Sequence, residues 1–200
     1  QQVAMMFPLY NEEVHLLAKK EITSLHDLNH RIVAVGSKGS GTNLTSELLF
    51  EMTNVWPQKK YLLDNEEALL WLEQGKVDAL FSVSGFPVKL FENIDPQRFH
   101  LVSLKEESVG GYYIGSTIPA DVYAWQPEPI ETIAVKAVLM TAGFNNAYCK
   151  TIDQLMQLIR NNIQYLKREG HPKWKEVKLD YALNNWDRYG CLATYSEGGE

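Results

Sequence analysis

Strand-like and helix-like patterns of apolar residues alternate through the middle of the chain. Residues 31–35 and residues 77–83 are two predominantly apolar runs, as expected for strands buried on both faces. Between them, apolar residues recur at helical spacing over residues 44–52 and again over 65–74. This alternation predicts an α/β fold with helices on a mostly parallel sheet.

The pattern changes towards both ends of the chain. Residues 3–7 are a short apolar run, and residues 8–11 have the composition of a turn or loop that ends it. Residues 110–129 are rich in aromatic residues, glycine and proline, without a helical period. A strand is then predicted at residues 130–140 and an amphipathic helix at 151–168.

Composition and charge exclude several classes of protein. The 200 residues are 45% hydrophobic and 22% charged, which is typical of a globular domain. No apolar run approaches the ~20 residues of a membrane helix. The net charge of −6 disfavours a protein that binds nucleic acid through its phosphates. Cys149 and Cys191 are too few for a disulfide framework or a zinc pattern, and their pairing stays open.

The segment that joins the first buried strand to its helix carries the clearest chemical signal. It contains three glycines and three hydroxyl side chains: Gly36, Gly39, Gly41, Ser37, Ser40 and Thr42. Glycines allow a ligand to approach the backbone closely, and a helix N-terminus offers free N–H groups to an anion. We expect Thr42 to be the N-cap and the loop to bind an anion.

This loop does not fit the common nucleotide-binding motifs. Gly36 and Gly41 have the spacing of a P-loop, but Thr42 and Asn43 stand where that motif needs lysine and a hydroxyl residue. The dinucleotide motif needs a small residue where Leu44 stands. The loop therefore favours a smaller anion such as a carboxylate, and the alternative is a strand-to-helix turn that binds nothing.

A second turn follows the strand at residues 77–83. Ser84, Gly85 and Phe86 belong to it, and it is predicted to lie at the same sheet edge as the glycine-rich loop. Taken alone, it could equally be a plain turn. Tyr10 and the aromatic residues between 112 and 125 offer walls for a small ligand, although packing in the core is the alternative for each.

Catalytic and metal chemistry find little support in the sequence. The five histidines lack the spacing of metal ligands, and no nucleophile motif of the form Gly-x-Ser-x-Gly occurs. An enzyme acting on a phosphorylated substrate would need a general base near the loop, and no clear candidate is found. We therefore predict no catalytic residue, no metal site and no cofactor.

Four collinear segments resemble one family of binding proteins. They are residues 24–42, which end in Gly39-Ser40-Gly41-Thr42; residues 67–87, which end in Gly85-Phe86-Pro87; the segment Ile118-Pro119-Ala120-Asp121-Val122-Tyr123; and residues 133–139. Together they are similar to the TAXI family, the solute-binding receptors of TRAP-type transporters. The similarity covers roughly residues 9–171.

The resemblance implies a type II periplasmic-binding-protein fold, in which two α/β lobes are joined by a hinge. It implies a complete ligand-binding lobe at residues 22–129, with hinge strands and a partial second lobe at 1–21 and 130–200. The N-terminal part of the first lobe would then be missing. Departures from the family pattern at residues 174–200 leave that region without an implied role.

The resemblance also implies a function. Residues 39–43 would hold a ligand carboxylate, Ser84, Gly85 and Phe86 would line the opposite turn, and Tyr10 would lie on the hinge side. The protein would be an extracytoplasmic receptor, not an enzyme, for an amino acid or a dicarboxylate such as glutamate. Its partner would be a TRAP-type membrane permease, and a preceding segment could anchor it. The alternative is a ligand-sensing or scaffold domain that signals to a partner protein.

Overall fold

A computed structural model describes residues 3–105, 109–142, 148–184 and 186–190. The strands are β1 (Val3–Lys19), β2 (Ile32–Ala34), β3 (Lys59–Tyr61), β4 (Ala79–Ser84), β5 (Phe99–Leu101), β6 (Ile114–Ile118) and β7 (Ile130–Ala142). The α-helices are α1 (Gly41–Thr53), α2 (Asn65–Glu73) and α3 (Cys149–Glu169). Within the described ranges, no helix is both long enough and apolar enough to cross a membrane.

The chain divides into two units of tertiary structure. The larger unit contains residues 11–135, and the smaller unit contains residues 1–10 and 136–200. The chain passes from one unit to the other within β1 and again within β7. The larger unit therefore extends beyond the predicted lobe of residues 22–129 at both ends.

The seven strands form a mixed sheet in the order β3-β2-β4-β1-β7-β6, with β5 paired to β1. β2 runs parallel to both β3 and β4, whereas β1 runs antiparallel to β4. The carboxyl ends of β2 and β4 consequently lie at the same edge of the sheet, as the alternating pattern predicts. β6 and β7 form an antiparallel hairpin at the other side.

Two hydrophobic clusters fill the larger unit. β1 contributes to both, because Leu16 belongs to the first cluster and Leu17 to the second. Successive side chains of a strand point to opposite faces, so the clusters lie on opposite faces of the sheet. α1 packs into the first cluster through Leu49, and α2 packs into the second through Leu72. The predicted α/β layering is confirmed.

The smaller unit has a smaller buried core. Its hydrophobic cluster is built on the buried residues Met6, Phe7, Val177 and Leu179, and partly buried residues of α3 pack against them. Cys149, the first residue of α3, is disulfide-bonded, whereas the sequence alone leaves its pairing open. Cys191 lies outside the described residues.

Two predicted boundaries are wrong. The turn expected at residues 8–11 is absent, because this segment continues β1 as one 17-residue strand. Pairing with neighbouring strands has overridden the local turn composition, which is common for β structure. The last helix begins at Cys149 and not at Thr151, with Tyr148 as its N-cap residue.

Candidate ligand-binding site

The glycine-rich loop after β2 folds back tightly on the start of α1. Gly36 and Gly39 have φ angles of 83° and 76°, in the left-handed region that favours glycine. A Cβ atom at Gly36 would lie 2.7 Å from Cβ of Thr42, so only glycine fits there. The Ser40 N–H donates to the Ser37 carbonyl at 3.0 Å and closes the turn. Ser37 and Gly39 are exposed on its outer side.

Ser40 is the N-cap of α1, and the prediction of Thr42 for this role is wrong. The Ser40 Oγ accepts a hydrogen bond from the Asn43 N–H at 3.1 Å. Helix geometry gives the N–H groups of Gly41 and Thr42 no partner within the helix. These donors, together with the positive end of the helix dipole, can hold a small anion.

Thr42 instead links the loop to the neighbouring strand. Its Oγ1 accepts a hydrogen bond from the Val83 N–H at 3.1 Å, and its side chain is buried. Val83 is the penultimate residue of β4, so this bond places the start of α1 beside the end of that strand. The sequence suggested the Thr42 hydroxyl as a donor to the ligand. In the structure, this hydroxyl accepts the hydrogen bond that links the loop to β4.

The second predicted turn follows β4 directly. β4 ends at Ser84, and the Phe86–Pro87 peptide bond is cis. Phe86 packs partly against the second hydrophobic cluster, which fixes the turn to the body of the unit. The Thr42–Val83 bond brings this turn next to the glycine-rich loop. The predicted residues on both turns thus meet at one edge of the sheet.

A row of polar side chains lies beside the second turn, and Ser84 is its one member among the predicted site residues. The Asn65 side-chain amide donates to the Ser82 Oγ at 3.1 Å, and the Ser82 and Ser84 hydroxyls are 3.4 Å apart. Asn65 is the first residue of α2, whose N-cap is Asp64. The N-termini of both helices therefore lie near the carboxyl end of the sheet.

The polar row continues across the sheet into β1. Glu13 and His15 are the cross-strand partners of Ser84 and Ser82 respectively, and both are buried. The Ser116 hydroxyl of β6 donates to Glu13 Oε1 at 3.1 Å. Asn11, Glu13 and His15 occupy alternate positions of β1, and this spacing is the signal that could have revealed this face.

Tyr123, a buried member of the second cluster, contacts the end of the polar row at His15. Its hydroxyl lies 3.0 Å from His15 Nε2 and accepts a hydrogen bond from the Val88 N–H at 2.9 Å. Burial raises the pKa of Tyr123 to about 12; the Val88 hydrogen bond acts against this rise and the charge of Glu13 contributes to it. Burial also raises the pKa of Glu12, with the neighbouring Glu13 carboxylate acting in the same direction.

The predicted aromatic walls separate into different environments. Tyr10 belongs to the smaller unit, where its ring packs edge-on against Trp174 at 6.4 Å. Tyr123 is buried and stacks on Trp125 with ring centroids 5.4 Å apart, so both have core roles. Tyr112 is 82% exposed. Over the described part of the chain, no three side chains are grouped as a metal site would require.

The sequence matches the profile of the NMT1-like family over residues 1–186. The chain belongs to the NMT1-like family. A comparison with functionally curated proteins gave no significant match. The family therefore rests on the profile match, which covers both turns of the candidate site.

Solved structures establish the fold of this NMT1-like protein as that of type II periplasmic binding proteins. An ancestral arginine-binding protein bound to arginine is 20% identical, with a TM-score of 0.52, and the match covers 86% of this chain and 64% of that one. Tv2483 bound to L-arginine is 11% identical, with a TM-score of 0.55, and the match covers 90% and 63%. The chain thus spans less than two thirds of the length of these structures.

Proposed function

We propose that this protein is an extracytoplasmic solute-binding receptor for a small organic anion. The observation that carries the proposal is the Thr42–Val83 hydrogen bond, which joins the N-terminus of α1 to the end of β4. The N–H groups of Gly41 and Thr42 supply donors for a carboxylate, and Ser84 lies at the adjacent strand end. Ligands of open α/β sheets bind beyond the carboxyl ends of the strands.

The fold and the family support a binding role rather than catalysis. The two solved structures described above contain bound arginine, whose carboxylate is the group that the α1 N-terminus suits. An amino acid, or a dicarboxylate such as glutamate, is therefore the proposed ligand class. The disulfide at Cys149 supports an oxidising compartment such as the periplasm, because cytosolic proteins rarely keep disulfides.

The proposed partner is a TRAP-type permease. The resemblance of residues 24–42 and 67–87 to TAXI receptors supports this choice over other transporter classes. We expect a permease gene of this class beside the gene for this protein, and ligand uptake that requires both products. A neighbouring gene for a kinase or cyclase, with uptake unaffected by deletion, would overturn the transport role in favour of ligand sensing.

Calorimetry and thermal-shift assays against L-amino acids and dicarboxylates test the binding role. Gly41→Pro gives a matched variant, because proline is favourable at the first helical position but has no N–H to donate. Gly41→Ala is the control, since a Cβ at Gly41 meets no atom within 4 Å. We expect Gly41→Pro to weaken binding about tenfold and Gly41→Ala to leave it unchanged. Equal affinity of both variants would contradict a ligand at this helix N-terminus.

A further inference from the structure

The two edges of the sheet differ in length and in charge. The strand order ends at β3 on one side and at β6 on the other. β3 has three residues, two of which are Lys59 and Lys60, whereas β6 has five residues and no charged side chain. Short length and lysine side chains keep an edge strand from pairing with another chain. The β3 edge is protected in this way, and the β6 edge is not.

The uncharged composition extends beyond β6. Residues 109–120 contain no Asp, Glu, Lys or Arg, although such residues make up 22% of the chain. Within this segment, Tyr112 is 82% exposed and Ile114 is 43% exposed. A Cβ atom at Gly115 would meet no atom of the described residues within 4 Å, so the space beside it is open. Exposed edge strands commonly carry charged groups, so this edge has the composition of a contact surface.

The sequence of β6 is complementary to a second copy of itself. In an antiparallel pair centred on Ser116, Ile114 of one copy lies opposite Ile118 of the other, and Gly115 lies opposite Thr117. This register is the one in which all five residues of the strand have a partner. Isoleucines that face each other across two strands stabilise the pair, and no like charges meet. A twofold axis makes each of these contacts twice.

The charge of the larger unit favours a second copy at this edge over a charged partner. Residues 11–135 contain 10 basic and 18 acidic residues, a net charge of −8. Two copies therefore repel each other over most of this unit, and they approach at the lowest electrostatic cost where charge is absent. A basic partner would instead be attracted to the acidic surface, and none of the acidic residues lies within 109–120.

We propose that β6 pairs with β6 of a second copy in an antiparallel dimer with twofold symmetry. The inference does not depend on the proposed ligand-binding function. Backbone groups on alternate residues of an edge strand point away from the sheet, and here they would join the two sheets into one. Five residues make a small contact compared with the ~800 Å² that each partner buries in a stable interface. The dimer should therefore form at high protein concentration and dissociate on dilution.

Analytical ultracentrifugation of the unaltered protein between about 5 µM and about 500 µM tests the proposal. We expect the average mass to rise from that of one chain towards that of two. Thr117→Lys places a charge on the exposed edge and should raise the dissociation constant at least about tenfold. Thr151→Lys is the control, because it makes the same change of charge at an exposed position of α3. A monomer at every concentration, or equal association of the two variants, overturns the inference.

Two cysteine substitutions test the register of the pair. The two copies of residue 116 would face each other with Cα atoms about 5 Å apart, which a disulfide can span. The two copies of residue 117 would be about 8 Å apart, which is too far. In a glutathione redox buffer, we therefore expect Ser116→Cys to form a cross-linked dimer and Thr117→Cys to remain without one. Mass spectrometry of the linked peptides identifies the bond. No cross-link at residue 116, or equal cross-linking of both variants, overturns the pairing.

Discussion

The helices of the two units are held in different ways. α2 has nine residues and buries Ala68, Leu69 and Leu72, whereas α3 has 21 residues, none of which is fully buried. Both helices have apolar residues at helical spacing, so both are recognisable from the sequence. The spacing predicts which face of a helix is apolar, but the depth of its burial depends on the sheet and loops that cover it.

Polar contacts show the same contrast. In the larger unit, Thr42 contacts Val83 and Tyr123 contacts His15, and these pairs are far apart in sequence. In α3, the Asn162 side chain bonds to a carbonyl one turn away within the same helix, and Arg160 bonds to Asp180 only 20 residues further along the chain. Residues of the larger unit therefore depend on remote parts of the chain, and substitutions there are expected to have larger effects.

The largest difference in stability loss is expected between the variants Leu72→Ala and Leu158→Ala. Leu72 is fully buried in the second cluster, while Leu158 of α3 is 60% exposed. We expect Leu72→Ala to lower the free energy of unfolding by about 3 kcal/mol through lost burial and a cavity. Leu158→Ala should change it by less than about 0.5 kcal/mol. Urea denaturation measures both, and equal losses would show that the two helices are held alike.

The next largest effect is expected in the pH dependence of the free energy of unfolding, to which Tyr123 contributes. The folded protein keeps the phenol proton up to about pH 12, because burial raises the pKa of Tyr123, whereas the unfolded chain releases it near 10. The free energy of unfolding should therefore fall by roughly 2–3 kcal/mol between these pH values. Tyr123→Phe should lack this part of the decline. Parallel pH profiles of the two proteins would contradict the raised pKa of Tyr123.

Substitutions at two glycines of one loop distinguish the stability cost of a tertiary clash from the cost of an unfavourable backbone conformation. Both Gly36 and Gly39 have positive φ, but only Gly36 has atoms closer than 4 Å to an added Cβ. Gly39→Ala should cost about 1 kcal/mol through its backbone conformation alone. Gly36→Ala should cost about 2 kcal/mol or more, because Thr42 must also move. Chemical denaturation of the two variants makes the comparison, and a larger cost at Gly39 would contradict it.

The smallest effect is expected at Thr42. Thr42→Val keeps the shape of the side chain and removes the hydroxyl that accepts the Val83 N–H. We expect a loss of about 1 kcal/mol in the free energy of unfolding. Thr42→Ser retains the hydroxyl and serves as the control for this bond. An unchanged stability of Thr42→Val would show that the bond contributes nothing to the link between the loop and β4.

The sequence was sufficient to predict the α/β alternation and the shared position of the two turns. Both predictions rest on local patterns, because apolar runs and their order determine which strand ends can meet. The N-cap could not be chosen correctly in this way. Ser40 and Thr42 both have suitable hydroxyls, and the Thr42 hydroxyl is taken by Val83, which lies 41 residues away.

The polar row on β1 also escaped prediction for a physical reason. Pro8 and Asn11 are typical of turns, so the local sequence predicts that the strand ends before Glu13 and His15. Long-range pairing keeps β1 continuous and places Glu13 opposite Ser84. The roles of Ser37, Gly85 and Asn43 in binding stay predictions, as does the role of Tyr10.

The close approach between Gly36 and Thr42 has a consequence for how this loop can evolve. The side chain of Thr42 fills the space that a Cβ atom at Gly36 would need, so neither position can vary alone without a cost in stability. A larger residue at 36 requires a smaller one at 42, yet a smaller one without a hydroxyl leaves the Val83 N–H unbonded. We therefore expect these two positions to change together, if at all, among related sequences. A glycine followed six residues later by threonine would then mark the site better than either residue alone.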